Sequence, residues 1–351
     1  MKLGIVGAGF FGQLAHIANY HEIEDCHIVA IASGRPLLRQ KVADRYNIPR
    51  TYASHHELLA DPEVEAIIAV TGRPQTGPVA LDCLTAGKPL LTEKPMASTV
   101  EQAEKLANIA RSKKLTYTVG YMKRYDQGVQ NAKSILDELV KTGELGPILY
   151  TRAHCFAGDA YQKADGHVVT SEKKTKNWKT WGIAPDWVPD KQKQQYHQFL
   201  NAYCHNINLL RYLHGKTPSV SHVEFDKPGC KVAILDFGNH LAILETGQFS
   251  YRGWDEITEI YFTEGRLQIK TPPPLLKNVP AKIELYKGGS AQQTFIPHAD
   301  WSWAFRRQAE AFISDVKNNK ASLSSGADSI EDIRLVEEMW KMKIENRPTL
   351  L

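Results

Sequence analysis

The chain has 351 residues, 42% of them apolar and 23% charged, which is the balance of a globular protein with room for about two cores. A net charge of +4 spread along the sequence excludes a nucleic-acid-binding face, and the densest basic run, Lys173, Lys174 and Lys176, reads as a solvated loop. No apolar run approaches the ~20 residues of a membrane span. Met1 leads directly into a strand-like run rather than a leader peptide, so the expected location is the cytoplasm. Cys26, Cys83, Cys155, Cys204 and Cys230 are scattered without a C-x-x-C pair, which fits reduced, buried thiols better than a disulfide frame or a zinc site.

Residues 1–120 alternate short apolar runs with helical patterns. Strands are predicted at Leu3–Val6, Ile28–Ala32, Ala66–Val70, Pro89–Thr92 and Leu115–Val119. The intervening helices are predicted at Phe11–Tyr20, Leu37–Tyr46, His56–Ala60, Gly77–Ala86 and Thr99–Ser112. Continuous apolar strands are expected where helices cover both faces of a parallel sheet, so this part predicts a doubly wound α/β domain. An amphipathic helix over 123–142, closed by Thr142-Gly143, opens the second part.

The texture then changes. A strand is predicted at Ile148–Phe156, irregular polar chain at 157–195, and a helix at Gln194–Leu213 closed by Gly215. Strands are predicted at Val220–Phe225, Lys231–Phe237, Leu241–Ser250, Glu256–Phe262 and Arg266–Ile269, with a hairpin turn at Gly265. Helices at Ala299–Asn318 and Ala327–Lys343 end the chain, with Asp300 as an N-cap candidate. The expected division is therefore a Rossmann domain at 1–122 and an α+β domain at 123–351 built on an open, mostly antiparallel sheet.

Gly7-Ala8-Gly9-Phe10-Phe11-Gly12 follows the first strand and opens the first helix. In such a turn Gly7 permits the bend, Gly9 lets backbone approach a pyrophosphate, and Gly12 lets helix and strand pack closely. The anion then rests on the helix N-terminus. The context of strand, turn, helix and further β–α units predicts a dinucleotide site at Gly7, Gly9, Phe10, Phe11 and Gly12, with Thr71 and Glu93-Lys94 at later strand ends. An NAD site ordinarily carries an acid after the second strand; here stands Ala32-Ser33-Gly34-Arg35-Pro36. Ser33 and Arg35 suit a 2′-phosphate, a slight lean to NADP over NAD; the alternative is an Arg35 that is exposed or stacks on adenine without choosing.

Ala86-Gly87-Lys88-Pro89-Leu90-Leu91-Thr92-Glu93-Lys94-Pro95-Met96-Ala97 resembles the A-G-K-x-V-x-x-E-K-P-x-A segment of the Gfo/Idh/MocA family, which includes glucose-fructose oxidoreductase and inositol dehydrogenase. The likeness extends through Gly120-Tyr121-Met122-Lys123-Arg124-Tyr125-Asp126, Gly143–Ile148 and Ser324–Trp340. It implies an NAD(P)-dependent oxidoreductase acting on a carbinol carbon of a sugar, inositol or sugar derivative, assembled as a homodimer or homotetramer. It also implies that Lys94 polarises the substrate hydroxyl, and that Arg124 and Tyr125 line the pocket. Family members carry D-x-x-x-H on the helix after residue 195; this chain has Asn201 and His205 there, one turn apart. An amide orients a hydroxyl or an imidazole but does not stabilise imidazolium as a carboxylate does. Some members instead cleave or epimerise glycosides by transient oxidation, and a few are non-catalytic sensors; both readings stay open.

Trp178, Trp181 and Trp187 fall within one irregular segment. Their faces suit a sugar ring, and they serve equally to pin a loop to the protein or to a neighbouring subunit. His154, His167 and His240 lack metal-ligand spacing, and no metal site is expected.

Overall fold

In the computed structural model, which describes all residues except 159–160, 162–163, 174–177 and 346–351, two sheets organise the chain. Lys174 and Lys176 of the predicted basic run lie outside the described residues.

The first sheet has six strands: β1 (Lys2–Val6), β2 (His27–Ala32), β3 (Arg50–Tyr52), β4 (Ala66–Ala69), β5 (Leu90–Thr92) and β6 (Tyr117–Val119). They run parallel in the order β3-β2-β1-β4-β5-β6. Strand order reverses between β1 and β4, the switch point beyond whose carboxyl ends doubly wound folds bind ligands. The connections carry α1 (Ala18–His21), α2 (Pro36–Arg45), α3 (His55–Leu59), α4 (Arg73–Thr85) and α5 (Val100–Ser112). Two caps follow local rules: Ser54 accepts from Glu57 N–H at the start of α3, and Thr99 accepts from Gln102 N–H at the start of α5. The predicted helix Phe11–Tyr20 opens with a π-helical stretch, Gly12–Ile17, before α1. Wider turns of this kind are frequent at functional sites.

The second sheet has eight strands: β7 (Ile148–Ala157), β8 (Ser219–Glu224), β9 (Cys230–Asp236), β10 (Leu241–Gln248), β11 (Trp254–Phe262), β12 (Gly265–Lys270), β13 (Lys282–Lys287) and β14 (Gln293–Phe295). Their order is β14-β13-β12-β11-β7-β10-β9-β8, and every pairing except β7 with β10 is antiparallel. The helices of this part of the chain are α6 (Gln127–Thr142), α7 (Asp190–His214), α8 (Ala304–Lys317) and α9 (Gly326–Glu345). Asp126 caps α6 by accepting from Val129 N–H at 3.1 Å, and Gly143 ends it at φ 66°, a left-handed conformation glycine adopts without strain. The last sheet strands, β13 and β14, and the three-residue β3 were absent from the sequence reading; β3 and β14 are too short to show a period. The penultimate helix starts at Ala304 rather than Ala299, so Asp300 is not its cap; Asp300 instead accepts from the Gln127 amide at 3.4 Å.

The described residues divide into two units. The first joins Met1–Tyr121 to Asp165–Asn201 and Phe305–Ile333; the second comprises Met122–Ala164, Ala202–Ala304 and the chain from Arg334. The first core packs Leu3, Ile5, Ile31, Ile68 and Leu91 of the sheet against Leu38 and Val42 of α2 and Phe312 and Ile313 of α8. Its edge strand β6 is covered where Val119 N–H donates to Ser324 O at 2.8 Å, which removes an open edge. The second core packs Val129, Leu136 and Leu139 of α6 and Leu209 and Leu213 of α7 against Ile260, Leu267, Ile269, Ile283 and Leu285. The alternate residues of this sheet, among them Tyr150, Arg152, Ile234, Ile243 and Tyr261, are half-buried. All five cysteines are free, and Cys230 alone is not fully buried. Among the described residues, no helix is long and apolar enough to cross a membrane.

Candidate dinucleotide and active site

The glycine turn sits at the carboxyl end of β1. Gly7 N–H donates to Ala32 O at 2.9 Å and Val70 N–H to Val6 O at 2.8 Å, joining the ends of β1, β2 and β4. Gly7 holds φ 111°, and a Cβ there would stand 2.1 Å from Val70 O. A Cβ at Gly12 would stand 2.7 Å from Gly7 O, so this glycine allows the helix to approach the turn. A Cβ at Gly9 would meet, among the described residues beyond its chain neighbours, Arg35 Nη2 at 3.7 Å. The residues present therefore fit a dinucleotide: a backbone cradle that a side chain would fill, opened beside a guanidinium.

His167 and Val168 lie against this turn. The buried Gln13 amide donates to Ala8 O at 2.9 Å and Val168 O at 3.1 Å, and its Oε1 accepts from Val168 N–H at 2.7 Å. Phe10 meets His167 edge-on at 4.8 Å, and Arg45 donates to Gly166 O. Phe11 packs edge-on against Phe305 at 5.5 Å. At the end of β2, Arg39 donates to Ser33 O. Beside it Glu172 accepts from Leu37 N–H at 2.9 Å and Leu38 N–H at 2.7 Å, the first free donors of α2. Thr71 Oγ1 meets Thr76 Oγ1 at 3.3 Å.

The Glu93-Lys94-Pro95 turn stands at the carboxyl end of β5, with the Lys94–Pro95 peptide cis. Glu93 Oε1 lies 2.7 Å from His16 Nε2 of the π-helical stretch, and Oε2 accepts from Lys94 N–H at 3.2 Å. Both carboxylate oxygens thus brace the turn from which Lys94 projects. The Lys94 ammonium donates to Asn201 O of α7 at 2.9 Å. Asn201 and His205 are both half-buried on α7, one helical turn apart as the spacing predicts.

In the second unit, Lys123 and Glu256 form an ion pair at 7% and 2% exposure. The Asn206 amide donates to Glu256 Oε1 at 2.5 Å, so this pair grips α7 at the residue after His205. Burial, with the Glu256 charge second, pushes the neighbouring Cys155 thiol up to about 12. Arg124 and Tyr125 are buried. Arg124 Nε donates to Asn208 Oδ1 at 2.7 Å, and its guanidinium lies 5.3 Å from the Tyr212 ring centre. Arg124 therefore braces α7.

Trp181 makes packing contacts within its own unit. A Cβ on Gly77 would come 2.1 Å from its ring, Lys105 Nζ lies 5.7 Å from the ring centre, and the Trp181 backbone N–H donates to Pro74 O at 2.9 Å. Trp178 lies 5.4 Å from the His55 ring, tilted by 34°. His55, His56 and Asp82 bring ligating atoms within 4.8 Å of one another, and His55 Nε2 is 2.9 Å from Asp82 Oδ2. That trio, Glu172, His16 and Glu256 escape sequence reading because each acts across at least 26 residues on an unlike element, with no local spacing to mark it.

Strand order and glycine turn together define a dinucleotide-binding Rossmann protein. The family model described as "Oxidoreductase family, NAD-binding Rossmann fold" matches residues 1–121. An inositol 2-dehydrogenase from Pseudomonas fluorescens SBW25 is 31% identical over 99% of this chain and 98% of its own length. One from Pseudomonas savastanoi pv. phaseolicola is 34% identical over 44% of this chain; the match spans 46% of that relative, about half the length of the protein. Aldose-aldose oxidoreductase from Caulobacter crescentus shares the fold at a TM-score of 0.77 and 18% identity, over 99% of this chain and 98% of that one. The chain belongs to the Gfo/Idh/MocA oxidoreductase family.

Proposed function

We propose that the protein is an NAD(P)-dependent dehydrogenase acting on a carbinol carbon of a sugar, inositol or sugar derivative. The observation that carries this reading is the braced Lys94, held at the carboxyl end of β5 with its ammonium on the Asn201 carbonyl. When bound, the nicotinamide supplies hydride acceptance or donation. The chain's own work is to hold the cofactor, orient a hydroxyl and move one proton. Gly7, Gly9 and Gly12 offer backbone to the pyrophosphate, and Arg35 and Ser33 flank the adenosine end. Lys94 donates to the reacting oxygen and so favours its deprotonated form. Asn201 bonds a neighbouring hydroxyl, and His205 relays the proton one turn along α7.

A panel of inositols, aldoses and sugar derivatives, followed by NAD(P)H absorbance, tests this. Turnover of at least one polyol with stoichiometric reduced cofactor is expected. Consumption of a glycoside without release of reduced cofactor would replace the reading with transient oxidation. The half-buried sheet face at Tyr150, Ile234, Ile243 and Tyr261 supports pairing of two copies through that sheet.

A further inference from the structure

We infer that Glu172 is the residue that selects the dinucleotide, and that it selects NAD over NADP; this rests on the proposed dehydrogenase reading. In doubly wound folds that choice is made at the end of the second strand, where a carboxylate accepts from the adenosine ribose hydroxyls. The sequence after β2, Ser33-Gly34-Arg35-Pro36, has no acid, and Arg35 by itself suits a 2′-phosphate. The fold supplies the missing carboxylate from a segment more than 130 residues away. Glu172 Oε1 accepts from Leu37 N–H at 2.9 Å, and Oε2 accepts from Leu38 N–H at 2.7 Å and the Thr170 hydroxyl at 3.2 Å.

Three consequences follow from that seat. The first free N–H donors of α2, behind Pro36, are already taken by an anion, so a 2′-phosphate gains them only by displacing Glu172. Any phosphate placed there while Glu172 stays meets a like charge. A ribose hydroxyl meets a carboxylate whose Oε1 accepts one bond and has a further lone pair to accept another. Burial pushes the Glu172 carboxyl up, but the Leu37, Leu38 and Thr170 bonds and the Arg35 charge hold it below its usual range, so it is anionic at neutral pH.

The carboxylate is held there by its own segment. Val168 is clamped to Gln13 through two bonds, His167 packs on Phe10, and Gly166 accepts from Arg45. Glu172 therefore follows, four residues on, a segment anchored at the glycine turn, and itself rests on the start of α2.

The test is titration of the full chain with NADH and NADPH by nicotinamide fluorescence, for the wild type, E172Q and E172A. The wild type is expected to bind NADH about tenfold or more tightly than NADPH, and both variants to bring the ratio within about threefold of one, chiefly by tighter NADPH binding. E172Q keeps the shape and one acceptor oxygen, so it reports charge with folding preserved, as its thermal midpoint will show. A ratio unchanged in E172Q, or a wild type that prefers NADPH, overturns the assignment while leaving the dehydrogenase reading intact. Binding of neither dinucleotide overturns that reading and this one with it.

Discussion

Replacing Lys123 with Met removes one half of an ion pair in which Glu256 is 2% exposed. The carboxylate is left in the interior with the Asn206 amide, 2.5 Å from Oε1. An uncompensated buried charge of this kind costs about 3–5 kcal/mol. For a chain of this size that corresponds to a fall of about 4–7 °C in the midpoint of thermal unfolding. The double variant K123M/E256L removes both charges and recovers most of the loss, because an apolar pair of similar volume avoids the desolvation of both ions. Thermal melts of the wild type, both single variants and the double variant form a complete cycle. A K123M midpoint within about 2 °C of wild type, or no coupling in the cycle, would refute the claim that this pair holds the α7 turn next to His205.

Burial lowers the His214 pKa to about 3, with the neighbouring His240 second among the causes, and Thr151 Oγ1 lies 3.1 Å from its Nε2. The folded state keeps this ring neutral while the unfolded chain protonates near its ordinary pKa of about 6.5, so stability falls as pH drops from there toward the folded value. Between pH ~6.5 and ~5 this single group withdraws about 2 kcal/mol, and His214→Gln should flatten the pH dependence of the melting midpoint in that range; an unchanged slope would contradict it. Trp181→Ala should lower stability by about 2–4 kcal/mol by vacating the surface over Gly77, while leaving the KM for the polyol within about twofold. A KM raised many-fold at unchanged stability would return Trp181 to substrate binding.

The first sheet was legible because its strands are buried on both faces and read as continuous apolar runs, as in Ala66–Ala69, whose four residues are all buried. The glycine turn and the Glu93-Lys94-Pro95 turn were legible because their chemistry is local and needs particular residues at fixed spacing. The edges were not: β3 is polar and three residues long, and β14 is exposed throughout. In the site, the sequence reading proposes Lys94, Asn201 and His205 as catalytic, Glu93 as a cofactor contact and Arg124 as pocket lining. The structure adds partners to these residues, His16 to Glu93 at the Lys94 turn and Asn208 of α7 to Arg124. These partners come from distant elements, and no periodicity connects them. Glu172, on the first N–H groups of α2, likewise arrives from a distant segment and leaves no local signal beside Arg35.

The central claim, that Lys94 carries the proton chemistry of a polyol dehydrogenase, is tested most directly by Lys94→Ala assayed in parallel for turnover and NADH binding. Loss of a positioned acid–base group predicts a fall of about 10²–10⁴-fold in kcat. The dissociation constant for NADH should stay within about threefold of wild type, because the glycine turn that binds the pyrophosphate is untouched. A Lys94→Ala protein that oxidises the same polyol at near wild-type kcat would contradict the account.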